Sequence, residues 1–127
     1  MKGRPAKPVR WIGSSRKDLR DMPEEVKVAF GAAILDVQFG DTPAMARPFR
    51  EGLPKGVMKL VEDYDRGTYR VAYAAAFEKC VYILHAFQKK SKTGIATPQA
   101  DINLVDQRFK AACADYARTY MKSRSTK

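Results

Sequence analysis

Three strand-like runs stand close together in the second half of the chain, and they restrict its fold more than any other feature. "MKLVEDY" covers Met58 to Tyr64, "TYRVAYAAAF" covers Thr68 to Phe77, and "CVYILHAF" covers Cys80 to Phe87. All three are rich in β-branched and aromatic residues. Only "DRG" separates the first two, and only Glu78-Lys79 separates the second from the third. Parallel neighbours need a crossover of about a dozen residues, so connections this short require an antiparallel meander. The last run is apolar at nearly every position, as expected of a strand covered on both faces.

The flanking segments supply the covering elements. "VRWI", Val9 to Ile12, reads as a first strand that Gly13 ends. Ser14 or Ser15 can cap a short helix, "SRKDLRDM". Pro23 suits the first turn of a longer helix, where Glu24 and Glu25 face the positive end of its dipole. Val26, Phe30, Ala33, Ile34 and Val37 recur at helical spacing, and Gly40 closes the segment. Residues 40–56 hold three prolines and three glycines among them, which predicts a long loop. Thr97-Pro98 reads as N-cap and first residue of a final helix reaching about Met121. Its apolar stripe is Ile102, Val105, Phe109, Ala112, Cys113 and Tyr116. The order is β-α-α-β-β-β-α. The expected fold is α+β, a small antiparallel sheet with two N-terminal helices and a C-terminal helix.

A length of 127 residues fits one domain, residues 1–127, with basic tails at about 1–8 and 120–127. Apolar residues make up 45% of the chain, which excludes a disordered composition. The N-terminus carries positive charge but no apolar core of a secretory signal. The longest apolar run, "VAYAAAF", is far too short to span a bilayer, so no membrane partner is expected. Cys80 and Cys113 both lie in apolar patterns and read as buried free thiols, which suits a reducing cytoplasm. Neither forms a metal-ligand spacing with His85, the single histidine, and no metal or cofactor is expected.

Charge is the feature that speaks to partners. Lysine and arginine number 24 against 14 acids, a net charge of +10. A surface kept basic for solubility would give the same count, but so would one that meets polyanions such as nucleic acid. The excess is uneven. Lys89, Lys90 and Lys92 follow the third strand with no acid between residues 79 and 100. They stand where a sheet edge meets the positive end of the last helix, a placement that costs stability and attracts phosphate.

The stretches "YRVAY" (Tyr69 to Tyr73), "VYILHAFQKKSKTGIATP" (Val81 to Pro98) and "ADINLVDQRF" (Ala100 to Phe109) carry a family likeness. Together with the element order, they make the chain resemble the RelE/ParE superfamily of toxins from type II toxin–antitoxin systems, in its HigB-like, phage-derived branch. The resemblance covers roughly residues 9–112. It implies a small toxin neutralised by a cognate antitoxin, of helix-turn-helix type in this branch. It also implies cleavage of mRNA on the ribosome, although a separate branch poisons DNA gyrase instead. An inactive relative serving as a regulatory partner would share the same fold.

Cleavage without a metal requires that a 2′-OH lose a proton, that the phosphorane's charge be stabilised and that the leaving oxygen gain a proton. One histidine cannot supply a histidine pair. A basic cleft can substitute, because fixed cations stabilise charge and a lysine among like charges can act as a base. The candidate catalytic residues are Arg70, Lys89, Lys90 and His85, with Lys59, Arg66, Tyr69, Lys92 and Thr93 as RNA-binding residues. Arg70 sits mid-strand, where a rigid element would fix its guanidinium. Lys89 and Lys90, on neighbouring pleats, are expected to point to opposite sides. His85 shares strand parity with Val81, Ile83 and Phe87 and therefore reads as facing inward, although the same parity leads on to Lys89. Tyr69, Tyr73 and Tyr82 could stack on bases or fill the packing layer, and packing is favoured for at least two of them.

Overall fold

The computed structural model describes residues 5–89 and 97–121. Its elements are β1 (Val9–Trp11), α1 (Ser15–Arg20), α2 (Glu24–Gln38), β2 (Ala46–Pro48), β3 (Val57–Tyr64), β4 (Gly67–Ala74), β5 (Val81–Lys89) and α3 (Gln99–Tyr116), followed by a π-helical turn, Ala117–Met121. The architecture is α+β, with one five-stranded sheet in the order β1-β5-β4-β3-β2.

The meander is present, with β3, β4 and β5 antiparallel in sequence order. Two corrections concern its edges. The sheet is mixed rather than wholly antiparallel, because β1 pairs with β5 in parallel. The long loop contains a short strand, β2, which extends the opposite edge. Three residues between Met45 and Phe49 carry too little pattern to reveal a strand, and Pro48 at its end is compatible only with an edge. The β3–β4 turn is two residues, Asp65 and Arg66, both left-handed, at φ 50° and 68°. That geometry matches the twist of a tight hairpin and puts Gly67 in the strand. Strand β4 ends at Ala74, three residues earlier than the apolar run suggests. The Lys7 ammonium donates to the carbonyls of Ala75 and Phe77, at 3.2 and 2.8 Å, and holds this segment out of the ladder.

Helices cover both faces of the sheet. On one face Val26, Phe30, Ala33, Ile34 and Val37 of α2 pack with Leu60, Val71, Tyr73, Val81 and Ile83. On the other, Val105 and Ala112 of α3 meet Val57, Ala72, Ala74, Tyr82, Leu84 and Phe87. Strand β5 is buried from Val81 through Phe87, as a doubly covered strand should be. Cys80 is buried, but Cys113 is exposed, which corrects the expectation of two buried thiols. The α3 stripe is narrower than its apolar spelling.

The basic ends are partly fastened. Lys7 is held as described, and Pro8 accepts a bond from the Val81 N–H at 2.9 Å. Arg10 grips Asp115 of α3 through Nε and Nη2, at 2.7 and 3.2 Å. The Tyr82 hydroxyl donates to the same carboxylate at 2.6 Å. These bonds tie α3 to β1 and β5. They also hold the Asp115 carboxyl down at about 2, chiefly through Arg10 and then Tyr82.

Candidate nucleic-acid interface

Register decides which side chains share a face. Lys59 pairs with Ala72, Arg70 with Phe87, and Thr68 with Lys89. Side chains directly opposite one another in a ladder point the same way. Lys59, Arg70 and Lys89 therefore occupy one face of three neighbouring strands, the face that α3 covers. The sheet brings together three of the residues singled out from sequence. Lys90, Lys92 and Thr93 lie outside the described residues.

The cluster contains an acid that the local sequence does not announce. Glu51, from the loop after β2, accepts the Thr97 N–H at 2.9 Å on Oε1 and the Thr97 hydroxyl at 3.1 Å on Oε2. Lys59 Nζ stands 3.6 Å from Oε2. Arg70 Nη1 donates to Thr97 Oγ1 at 3.1 Å. Thr97 thus links the arginine to the carboxylate. This corrects the expected N-cap role of Thr97: α3 begins at Gln99, Pro98 holds the cap position, and the threonine hydroxyl turns toward the sheet.

Partial burial pushes the Glu51 carboxyl up, but the two Thr97 hydrogen bonds and Lys59 outweigh it and hold the group below its usual range. Lys59 is shifted down by its own burial first and then by Arg70, with Lys89 adding to the effect against the opposing pull of Glu51. The lysine whose ammonium is disfavoured is therefore Lys59, by burial first and like charges second, a residue read from sequence only as an RNA contact. Its ammonium lies 4.8 Å from the Phe49 ring centroid. Lys89 is buried as well. Among the described residues, the buried Arg70 Nε has no hydrogen-bond partner.

His85 reaches this face by a break in the ladder. Ala72 pairs with His85, but Tyr73 pairs with Ile83, so Leu84 is an extra residue on β5. A bulge of this kind reverses the alternation beyond it. His85 consequently lies on the α3 face with Phe87 and Lys89, not with Val81 and Ile83, which corrects the parity expected from uninterrupted alternation. Its Nε2 is 2.8 Å from Asp101 Oδ1, and its ring stacks on Phe87 at 4.6 Å. The residue is only 6% exposed, and Nδ1 is buried with no hydrogen-bond partner among the described residues. His85 is as buried as Lys89 of the cluster, and its close polar contact is with Asp101 rather than with a cation.

Two further candidates stand apart. Tyr69 lies next to Arg70 in sequence and therefore on the opposite face, where it packs against the α1–α2 core. It lines a cleft of about 560 Å³ with Asp18, Asp21, Met22 and Gln88. Arg66 is exposed at the hairpin tip, and no hydrogen bond or ion pair ties it to the cluster among the described residues. Tyr73 and Tyr82 are core residues, as favoured from sequence. Glu51 and Asp101 went unrecognised. Asp101 is legible in the sequence as an acid in the first turn of the last helix, but not as the partner of His85, whereas nothing local marks Glu51.

Among the described residues, no group of three or more histidine, cysteine or acidic side chains is placed to hold a metal ion. No helix there is long and apolar enough to cross a membrane. The arrangement can do one thing well: hold an oxyanion against fixed cations on a rigid sheet.

An α+β protein with a cationic cluster on the α3 face of its sheet is the class defined so far. The sequence profile of the family described as "Phage derived protein Gp49-like (DUF891)" matches residues 17–110, and the chain belongs to that family. No curated protein matches the chain significantly. Among solved structures, it is similar to a chain of the toxin–antitoxin complex RelBE2 from Mycobacterium tuberculosis, at 25% identity and a TM-score of 0.43, over 72% of this chain and 100% of that one.

Proposed function

We propose that this chain is the toxin of a type II toxin–antitoxin pair, of the HigB-like branch, and that it cuts single-stranded mRNA on the ribosome. The observation that carries the reading is the convergence of Lys59, Arg70 and Lys89 on one face of three paired strands. Lys59 and Arg70 meet at one loop carboxylate, with Lys89 on the same face, and a sugar–phosphate backbone is a ligand that such a site suits. The likeness of "YRVAY" and "VYILHAFQKKSKTGIATP" to the RelE/ParE toxins gives the reaction its class and implies a cognate antitoxin, of helix-turn-helix type, in the cytoplasm.

In this reading Arg70 and Lys89 stabilise the charge of the phosphorane as the 2′-oxygen attacks, the P–O5′ bond breaks to leave a 2′,3′-cyclic phosphate, and the Lys89 ammonium gives the departing 5′-oxygen its proton. Lys59, whose ammonium is already disfavoured by burial and by Arg70, takes the proton from the 2′-OH. His85 acts indirectly: through Asp101 it fixes the first turn of α3, and with it the Thr97 contact to Arg70. Lys90, Lys92 and Thr93, outside the described residues, are assigned to RNA by the sequence likeness alone.

The test is a translating extract supplied with purified protein. Message should be cut in its presence and left whole by Arg70→Ala, with both proteins folded. Growth arrest with intact message would replace this reading with that of a non-cleaving toxin, for which a gyrase supercoiling assay is the next measurement.

A further inference from the structure

We propose that the Glu51 carboxylate occupies, in the resting protein, the oxyanion site that an RNA phosphate takes on binding, so that Glu51 is a built-in competitor of the substrate. The inference rests on reading the cation cluster as an RNA site. It goes further by assigning one residue as the occupant that must leave.

The contacts of Glu51 are those of a bound anion. Its two oxygens accept from the Thr97 N–H and the Thr97 hydroxyl, at 2.9 and 3.1 Å, and Lys59 Nζ stands 3.6 Å away. Two oxygens of a phosphodiester present the same pair of acceptors to the same donors. Two cations converge on this one carboxylate, Lys59 directly and Arg70 through the Thr97 hydroxyl, while Asp101 is engaged with His85. The buried Arg70 Nε, with no hydrogen-bond partner among the described residues, is a donor for which a larger anion supplies an acceptor.

Glu51 is also free to leave. It belongs to a loop and not to a strand, and its displacement would undo no ladder bond. Its backbone is left-handed at φ 39°, and Gly52 follows at φ 85°. A non-glycine residue in that region relaxes when the contacts that hold it are released.

The competing role for a carboxylate here is general base. The surroundings argue against it, because both oxygens face donors and the group is held below its usual range. A base works best when its affinity for a proton matches the working pH. The two roles give opposite results on neutralisation.

The experiment compares wild type with Glu51→Gln, which keeps an acceptor for the Thr97 N–H, removes the charge and replaces the oxygen facing Lys59 with an amide donor. The probe is a short labelled single-stranded RNA oligonucleotide at fixed salt, with inorganic phosphate as the second arm. Glu51→Gln should bind the oligonucleotide about tenfold more tightly, since one opposing charge is gone, and adding Arg70→Ala should remove the gain. Equal or weaker binding by folded Glu51→Gln, with Arg70-dependent binding by wild type, overturns the competitor role and leaves the RNA reading standing. Lost cleavage with unchanged binding makes Glu51 a base and also overturns it. Tighter phosphate binding without tighter oligonucleotide binding assigns the site to a free phosphate and overturns it for RNA. No oligonucleotide binding by either folded protein overturns both readings. If Glu51→Gln melts early, Glu51→Asp takes its place; its shorter reach withdraws the carboxylate from Thr97 and should give an intermediate gain, and no gain overturns the proposal.

Discussion

His85 Nε2 lies 2.8 Å from Asp101 Oδ1, bridging the middle of β5 and the first turn of α3. The imidazole is stacked on Phe87 and nearly sealed from solvent, so the pair acts on architecture before chemistry. Asp101→Ala would leave a buried ring with neither nitrogen partnered. A loss of about 1–3 kcal/mol in urea denaturation is expected. His85→Gln can still donate to Asp101, so it should cost less and keep RNA cleavage within a few-fold of wild type. Abolished cleavage by a stable His85→Gln would return the histidine to direct proton transfer.

The bulge at Leu84 has its own support. Arg108 Nη1 donates to the Leu84 carbonyl at 3.0 Å, and Nη2 donates to Ser14 Oγ at 3.2 Å. Without that donor, the extra residue's carbonyl is left facing the α3 side unsatisfied, and the alternation that presents His85 to Asp101 loses its brace. Arg108→Ala is expected to lower stability by about 1–3 kcal/mol. Its effect and that of Asp101→Ala should fall short of additive in the double variant, because both act on one seam. Strict additivity in a double-mutant cycle would separate the bulge from the histidine.

These two residues also show where sequence reading stops. Periodicities of 2 and 3.6 locate the meander, α2 and α3, because each follows from covering an apolar face. They place Lys59 and Arg70 on strands and Lys89 just past one; β5 in fact runs on to Lys89, and register puts all three on one face. A bulge is one residue out of phase with the pattern around it, and no residue near Leu84 announces it; the parity of His85 was therefore misread. Glu51 lies 46 residues from the Thr97 it contacts, in a loop whose composition reveals only that it is a loop. The parallel pairing of β1 was hidden for the same reason, since three residues give no directional signal.

Acid should loosen the other end of α3. Asp115 is held at about 2 by Arg10 first and Tyr82 second, against an ordinary value of 3.8. The folded value is the lower of the two. The stabilisation is therefore fully present above about pH 4 and is lost as pH falls through about 2. Wild-type melting temperature is expected to fall steeply across that window. Asp115→Asn should start lower at neutral pH and show a shallower acid slope. Parallel slopes for the two proteins would mean that other carboxylates govern acid unfolding.

Neighbouring positions on β4 give the sharpest functional contrast. Arg70 and Tyr69 are adjacent in sequence, yet the pleat sends Arg70 to the cluster under α3 and Tyr69 to the α1 side. If RNA follows the cations, Arg70→Ala removes one phosphate contact, and the slope of log affinity against log salt for a single-stranded oligonucleotide should fall in magnitude by about 0.7. Lys59→Ala should give a comparable drop. Arg66→Ala, at the exposed hairpin tip, should change the slope little, because that side chain is not joined to the cluster among the described residues. Tyr69→Leu keeps an apolar side chain against the α1–α2 core and should leave affinity unchanged. The comparison is one titration series per variant at several salt concentrations. Lost affinity in Tyr69→Leu together with an unchanged slope in Arg70→Ala would put the nucleic acid on the opposite face of the sheet.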